Sequence, residues 1–193
     1  KQRIVPEKLG DILARALEQT HRAGDIIRRL REFVSKGTTQ RELVDIDQLI
    51  RDVMKLLDWE LSNSQVDIDF SHCGHDCRVN VDKVQIEQVL LNLVRNSLEA
   101  ILNSDVKDGR VLLKTRLQSD GMIEVTVSDN GPGVDESMVD TLFNPFQTSK
   151  GTGMGMGLSI SRSIIEAHGG KLWVAKVPDD GALFGFNLPV AEV

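Results

Sequence analysis

Residues 148–158 read Thr-Ser-Lys-Gly-Thr-Gly-Met-Gly-Met-Gly-Leu, with glycine at every second position from Gly151 to Gly157, directly before a predicted helix. Glycine lets the backbone adopt positive φ and approach a ligand, and a helix N-terminus carries a partial positive charge. Both properties suit a phosphate chain, to which Lys150 adds a full charge. The spacing fits neither the P-loop nor the G-x-G-x-x-G fingerprint, which excludes both common nucleotide folds. A merely flexible glycine-rich loop stays as the alternative.

A second motif, Asp129-Asn-Gly-Pro-Gly133, follows a predicted strand that ends at Ser128. A carboxylate in this position can accept a hydrogen bond from an amino group while the glycine backbone behind it lies flat against a ring. The amino group of adenine fits this description. An ordinary turn is the alternative, because Asp, Asn, Gly and Pro are also the residues of turns.

A third motif lies within a predicted helix that begins after Asp82 and runs to Leu102. Asn92, Asn96 and Glu99 are spaced at i, i+4 and i+7 and therefore share a face. The core side of the same helix is formed by Leu90, Val94, Leu98 and Ile101. Amide and carboxylate oxygens suit a magnesium ion that bridges phosphates. A solvated helix face with i,i+4 contacts is the alternative.

Helical and strand patterns alternate along residues 43–193. Helical spacing predicts helices over 46–61, 82–102 and 156–168, and alternation predicts strands over 65–70, 78–81, 111–117, 122–128, 171–177 and 182–188. We expect 65–70 and 78–81 to pair as a hairpin, and two further hairpins to turn at Asp120-Gly121 and Pro178-Asp-Asp-Gly181. This order predicts an α/β (α+β) fold in which helices cover one face of a mixed sheet.

The N-terminal segment differs in charge and pattern. Residues 1–44 carry 10 Lys/Arg and 6 Asp/Glu, whereas residues 45–193 carry 13 and 23. A heptad-like seam runs through Leu9, Leu13, Ala16, Thr20, Ala23, Ile27, Leu30 and Val34. One helix cannot bury such a seam alone, so we expect self-association through residues 1–36, then a linker over 37–42 and a globular domain over 43–193. Folding of this helix back onto the domain is the alternative.

The composition of the chain argues against some classes of function and for a particular cellular setting. The net charge of −6 argues against non-specific nucleic-acid binding, which depends on Lys and Arg neutralising phosphates. No window approaches the length of apolar sequence that a membrane span needs, so no membrane contact is expected within these residues. Two cysteines and no signal peptide favour a reducing, cytoplasmic setting, which is compatible with a membrane anchor elsewhere in a longer protein.

Taken in their order along the chain, the three motifs resemble the nucleotide-binding module shared by gyrase, Hsp90-type chaperones, histidine kinases and MutL-type ATPases. Residues 82–100 resemble the N box, Asp129-x-Gly131-x-Gly133 the G1 box, and Gly153-x-Gly155-x-Gly157-Leu158 the G2 box. Phe143-Asn-Pro-Phe146 is similar to the F box of histidine kinases. Residues 26–34 and 158–170 are similar to sensor kinases of the oxygen-sensing nitrogen-fixation type. The resemblance implies a two-layer sandwich of three helices on a mixed sheet that binds ATP, preceded by the second helix of a dimerisation hairpin.

The resemblance also implies roles for individual residues. Asn96 corresponds to the magnesium ligand and Asp129 to the adenine-binding aspartate, while Arg95 and Lys150 stabilise phosphates. The complete set expected at the nucleotide is Asn92, Arg95, Asn96, Glu99, Asp129, Gly131, Gly133, Phe143, Thr148, Lys150, Gly153, Met154, Gly155, Met156, Gly157 and Leu158. The expected cofactors are ATP and Mg²⁺. The expected partners are a second copy of the chain and the receiver domain of a response regulator.

Asn92 distinguishes kinases from ATPases in this superfamily. The gyrase, chaperone and mismatch-repair members place a water-activating glutamate one turn before the magnesium asparagine, and an amide cannot take a proton at neutral pH. We therefore expect transfer of the γ-phosphate to a histidine, and then to an aspartate of a response regulator. A conformational ATPase or a catalytically silent nucleotide-binding module is the alternative.

None of the four histidines has the context of a kinase's phospho-acceptor, which the resemblance places on an upstream helix. His21 lies on the second-helix pattern, and His168 is expected to cap a helix C-terminus. His72-Cys73-Gly74-His75-Asp76-Cys77 offers metal-ligating side chains within six residues. Zinc sites usually draw ligands from separated elements, and neighbouring His72 and Cys73 would compete sterically, so an incidental loop is favoured over a metal or redox site.

Overall fold

A computed structural model describes residues 40–62, 66–74, 77–147, 155–176 and 181–191. The chain divides into the units Lys1–Thr39 and Gln40–Val193, and the described residues lie in the second. The predicted dimerisation helix and residues 37–39 of the predicted linker lie outside them. The first described strand begins at Glu42, the last residue of that linker.

Seven strands and three helices make up the described part of the chain, together with one short 3₁₀ turn at Glu136–Met138. The strands are β1 (Glu42–Asp45), β2 (Val66–Ser71), β3 (Arg78–Val81), β4 (Gly109–Leu117), β5 (Met122–Asp129), β6 (Lys171–Lys176) and β7 (Ala182–Pro189). The helices are α1 (Ile46–Ser62), α2 (Lys83–Leu102) and α3 (Gly157–Ala167). The three predicted helices are therefore present.

Five strands form a mixed sheet in the order β2-β4-β5-β7-β6. β2 runs parallel to β4, and the other neighbours are antiparallel, with Val111 opposite Asp129 and Val127 opposite Phe184. The predicted β4–β5 and β6–β7 pairs are thereby confirmed. The register places the end of β5, and with it Asp129, between β4 and the start of β7.

The predicted hairpin of residues 65–70 and 78–81 is wrong. β2 pairs with β4, whereas β3 pairs with β1 in a separate two-stranded sheet. An alternating pattern identifies a strand and its buried face but does not specify the neighbouring strand. β1 was not predicted, because only Val44 of its four residues is buried and the alternation is too short to detect.

The hydrophobic core lies between the sheet and the helices. Alternate residues of β5, namely Ile123, Val125 and Val127, are fully buried, and α2 packs against β4 and β5. α2 also lies between α1 and α3. The three helices form one layer and the sheet forms the other, as predicted for a two-layer sandwich. Its buried residues are Ile86, Val89, Leu90, Leu93, Val94, Ser97, Leu98 and Ile101. No helix within the described ranges combines the length and hydropathy that a membrane span requires.

His168 links the ends of two helices. Its Nδ1 lies 2.8 Å from the carbonyl oxygen of Ile164 at the end of α3, and its Nε2 accepts a hydrogen bond from the backbone N–H of Asp82 at 3.0 Å. These contacts require the neutral tautomer with the proton on Nδ1. The predicted C-terminal cap is therefore present, but with a neutral imidazole that also holds the N-cap of α2. The imidazole is buried, so the Ile164 carbonyl oxygen and the Asp82 N–H depend on it as their hydrogen-bond partner.

We predict that His168→Ala lowers the free energy of unfolding by about 2 kcal/mol, because it removes two hydrogen bonds and leaves the Asp82 N–H without this acceptor. Urea unfolding measures the change. Val84→Ala, which alters an exposed side chain on α2, serves as the control and should change stability by less than about 0.5 kcal/mol. Equal effects of the two substitutions would contradict the linking role of His168.

Candidate functional site

Asp129 is a buried carboxylate at the end of β5, with only 6% of its surface exposed. Its Oδ2 accepts a hydrogen bond from the Ser97 hydroxyl at 2.8 Å. Its Oδ1 accepts from the backbone N–H of Gly131 at 3.0 Å and from that of Ala182 at 3.4 Å. A carboxylate has about four lone-pair directions. These donors use three of the directions, which leaves one lone-pair direction of Asp129 without a donor among the described residues.

Two glycines let the backbone lie close to this carboxylate. A Cβ at Gly131 would lie 3.0 Å from Asp129 Oδ1 and 3.5 Å from the Cβ of Ala100 on α2. A Cβ at Gly181, just before β7, would collide with the carbonyl oxygen of Asp129. Gly181 therefore excludes a side chain, whereas a side chain at Gly131 would press on the Asp129 carboxylate. Gly133 has a φ of +76° that favours glycine.

Asn130 fixes the turn that follows Asp129. Its Oδ1 accepts a hydrogen bond from the backbone N–H of Arg110 at 2.7 Å, and its Nδ2 donates to the carbonyl oxygen of Asp108 at 2.8 Å. The backbone N–H of Asn130 also donates to the carbonyl oxygen of Arg110. These three bonds attach the start of the glycine turn to the start of β4 and so hold Asp129 in place.

An open cleft of about 500 Å³ adjoins the turn. It is lined by Pro132, Gly133, Val134, Asp135, Glu136, Met138, Leu142, Lys176 and Gly181. Lys176 Nζ lies 3.0 Å from Glu136 Oε1 across the lining. Hydrogen bonds from the hydroxyl and backbone N–H of Ser137 hold the pKa of Asp135 below its usual value, so this carboxylate stays ionised at neutral pH. The lining combines apolar side chains with a few charged groups, which is typical of small-ligand sites.

The polar face of α2 carries the other predicted site residues. Asn92 and Asn96 are partly buried, whereas Arg95 and Glu99 are exposed. Asn92 Nδ2 donates a hydrogen bond to the hydroxyl of Ser161 on α3 at 3.1 Å. A Cβ at Gly157 would collide with Asn92 Oδ1, so the N-terminus of α3 lies directly against this amide.

α2 therefore brings the predicted motifs together along one helix. Asn92 contacts the start of α3, whereas Ser97 and Ala100 adjoin Asp129 and Gly131. At 1.5 Å per residue, Asn92 and Ala100 are separated by about 12 Å along the helix axis. Asn96 lies midway between Asn92 and Ala100 along α2. It is therefore placed between the start of α3 and the glycine turn.

The segment before α3 contains the remaining described site residues. The Phe143 ring is partly buried, and the guanidinium carbon of Arg162 lies 5.9 Å from its centroid. Gly155 has a φ of +64°, and a Cβ there would collide with the backbone of Gln147. Met156, Gly157 and Leu158 are partly buried at the start of α3. Thr148, Lys150, Gly153 and Met154 lie outside the described residues, so their roles stay predictions.

The sequence reasoning missed several residues that shape the site. Ser97 was not singled out, although it follows the predicted magnesium ligand directly and is a polar residue at a buried helix position. Asn130 was quoted only as part of a turn. Gly181 and Ala182 come from a distant turn and strand, and the sequence carries no signal that they reach Asp129.

The family model described as Histidine kinase-, DNA gyrase B-, and HSP90-like ATPase matches residues 81–192, more than half of the chain. Among curated proteins, the chain is 44% identical to the sensor protein FixL of Bradyrhizobium diazoefficiens, over 96% of this chain and 36% of that protein. It is 33% identical to the sensor protein TdiS of Thauera aromatica, over 95% of this chain and 34% of that protein. The chain thus spans about a third of the length of these relatives.

Among solved structures, the chain is also similar to histidine kinases. The catalytic domain of histidine kinase ThkA is 34% identical, with a TM-score of 0.69 over 77% of this chain and 95% of that one. ThkA in complex with the response regulator protein TrrA has a TM-score of 0.82 at 29% identity, over 99% of this chain and 54% of that one. The chain belongs to the family of histidine kinase-, DNA gyrase B- and HSP90-like ATPases, and within that family it is similar to the sensor histidine kinases.

Proposed function

We propose that this chain is the ATP-binding catalytic region of a two-component sensor histidine kinase. It binds ATP with Mg²⁺ and transfers the γ-phosphate to a histidine on an upstream helix, from which the phosphate passes to an aspartate of a response regulator. The observation that carries this proposal is the buried Asp129 carboxylate, which retains one lone-pair direction and precedes the glycine turn that adjoins the cleft.

The surroundings of Asp129 fit an adenine base. Burying a carboxylate is costly unless it is hydrogen-bonded, and three donors already satisfy most of this one. The exocyclic amino group of adenine is a donor and completes the set, whereas guanine presents a carbonyl oxygen at the equivalent position. Gly131 and Gly133 carry no side chains, so that a flat ring can lie against the backbone at these two positions.

The phosphates and the magnesium ion have suitable partners on α2 and at the start of α3. Asn96 offers an amide oxygen as a magnesium ligand, and Arg95 and Lys150 offer positive charge. The backbone N–H groups around Gly153–Leu158 complete the phosphate contacts. When bound, magnesium neutralises charge on the phosphates, which is a main requirement of phosphoryl transfer.

Asn92 favours transfer of the γ-phosphate to another group over hydrolysis of ATP. Its amide cannot act as a general base, and it is already engaged with Ser161 and packed against Gly157. No proton acceptor for an attacking water is therefore supplied at this position. The γ-phosphate stays intact until a nucleophile from outside the domain reaches it, and positioning provides much of the catalysis.

The nucleophile and the partners come from outside residues 43–193. We infer that residues 1–36 form the second helix of a dimerisation hairpin, that 37–42 connect it to the domain, and that the acceptor histidine lies on the hairpin's first helix. The heptad seam supports a homodimer. The names of the relatives, together with ThkA in complex with TrrA, support a response regulator as the partner. A cytoplasmic location follows from this role.

We predict that Asp129→Asn weakens ADP binding by about tenfold to a hundredfold, because a charge-assisted hydrogen bond is lost. Isothermal titration calorimetry with ADP and GDP measures the effect, and circular dichroism checks folding. Asp108→Asn, an equal charge change at an exposed position near the glycine turn, should leave the affinity nearly unchanged. An unchanged ADP affinity in Asp129→Asn would contradict the assignment of the base-binding residue.

We predict that the chain phosphorylates a full-length form of the protein in which Asn96→Ala has disabled the nucleotide site. With γ-labelled ATP and magnesium, acid-labile and base-stable label should accumulate on the longer protein, as expected for phosphohistidine. The same reaction with Asn96→Ala in both proteins should give no label, whereas the exposed amide variant Asn80→Ala should label at the normal rate.

Two other outcomes would contradict the proposed activity. Release of free phosphate without labelled protein would indicate a conformational ATPase. Nucleotide binding with neither label nor free phosphate would indicate a silent binding module if the unsubstituted full-length protein also stays unlabelled. If that protein labels itself, transfer is confined to a single chain.

A further inference from the structure

A second group of chemically active side chains lies away from the nucleotide site. Asp47 is in the first turn of α1, Cys73 and Cys77 are in the segment between β2 and β3, and His72 precedes Cys73. The ligand atoms of Asp47, Cys73 and Cys77 all lie within 4.8 Å of one another. These three residues are called the Asp47–Cys cluster below. It draws on two separate elements, which the sequence pattern of His72–Cys77 alone did not indicate.

Asp47 is an acidic side chain that the proposed kinase chemistry does not use. Only 9% of its side-chain surface is exposed. Its Oδ1 accepts a hydrogen bond from the hydroxyl of Thr115 at 2.6 Å, and that hydroxyl oxygen accepts from the backbone N–H of Cys73 at 2.9 Å. These two hydrogen bonds fix the position of the Asp47 carboxylate relative to the backbone of Cys73.

The second oxygen of Asp47 makes only long contacts with the described residues. The Sγ of Cys73 lies 3.8 Å from Oδ2, and the Nδ1 of His72 lies 4.0 Å away. Cys73 and Cys77 are joined by a disulfide in the structure, and a disulfide sulfur has no proton to donate. Oδ2 is therefore held less firmly than Oδ1 and is the oxygen of Asp47 that is available to a metal ion.

The cysteines are placed where they can also share an ion. Their Cα atoms are 7.4 Å apart, beyond the roughly 4.4–6.8 Å of most disulfide pairs. Cys77 is 1% exposed, and its carbonyl oxygen accepts a hydrogen bond from the N–H of Ile46, the residue before Asp47. The backbone around Cys77 is thereby attached to the start of α1, next to the carboxylate.

We propose that, when its thiols are reduced, the Asp47–Cys cluster binds one Zn²⁺ ion through Asp47 Oδ2 and the two Sγ atoms. Two thiolates and one carboxylate are ligands suited to tetrahedral zinc, and a water can take the fourth position. The bound ion would tie Cys73 and Cys77 to Asp47 at the start of α1.

The chemistry requires reduction before binding. A phosphine reductant and one water convert the disulfide to two thiols and give the phosphine oxide. Zinc binding then forms two zinc–sulfur bonds and releases the two thiol protons. Oxidation back to the disulfide removes both sulfur ligands, so the oxidised chain should not bind the ion.

The test uses the whole chain, reduced with a phosphine, stripped of metal and then titrated with Zn²⁺ against a competing chelator. We expect one zinc per chain, and Co²⁺ in its place should show thiolate-to-cobalt absorption. Cys73→Ser should lower that absorption by about half or more, and Asp47→Asn should weaken zinc binding by more than about tenfold. Asp69→Asn, an exposed carboxylate on β2, is the matched control and should bind zinc normally.

Failure to bind stoichiometric zinc in the reduced wild-type chain would overturn the proposal. Zinc binding of equal affinity in Asp47→Asn, or thiolate-to-cobalt absorption of undiminished intensity in Cys73→Ser, would overturn it as well. Circular dichroism before metal addition separates loss of the site from loss of folding. If Cys73→Ser is unfolded, the decision rests on Asp47→Asn, which retains an acceptor for the Thr115 hydroxyl.

Discussion

The hydrogen bond between the Ser97 hydroxyl and Asp129 joins the central helix to the central strand, and the candidate site is built around it. Both side chains are buried, so the carboxylate needs donors from the protein itself. Ser97 supplies one from α2, and the backbone supplies two more from the glycine turn and from β7. Three elements thus converge on one charge, and the direction that they leave open defines where a ligand's donor can bind.

The same helix provides the core and the site. One face of α2 is filled by aliphatic side chains that pack on β4 and β5, and the other carries Asn92, Arg95, Asn96 and Glu99. Because Asn92 is packed against the start of α3 and Ser97 is bonded to the end of β5, the helix sets the spacing between the two glycine motifs. The packing that stabilises the fold therefore also positions the groups that we assign to base, magnesium and phosphate.

Much of this arrangement could be predicted from sequence, because local patterns carry it. The apolar spacing of α2 and its Asp82 cap are local, as are the glycine turn after β5 and the glycine run before α3. Strand partners are not local: β2 and β3 alternate correctly, yet each pairs with a different strand from the one expected. The contacts of Asp47 with Thr115 and of Asp129 with Ala182 join residues far apart in the chain, and no periodicity reports them.

The central claim is that Asp129, the glycine turn and Asn96 together form one nucleotide site, and nuclear magnetic resonance tests it most directly. In a titration of the ¹⁵N-labelled chain with magnesium and ADP, we predict the largest shift changes at the backbone amides of Gly131, Gly133 and Ala182 and at the side-chain amide of Asn96. Saturable shift changes confined to residues away from these positions would contradict it.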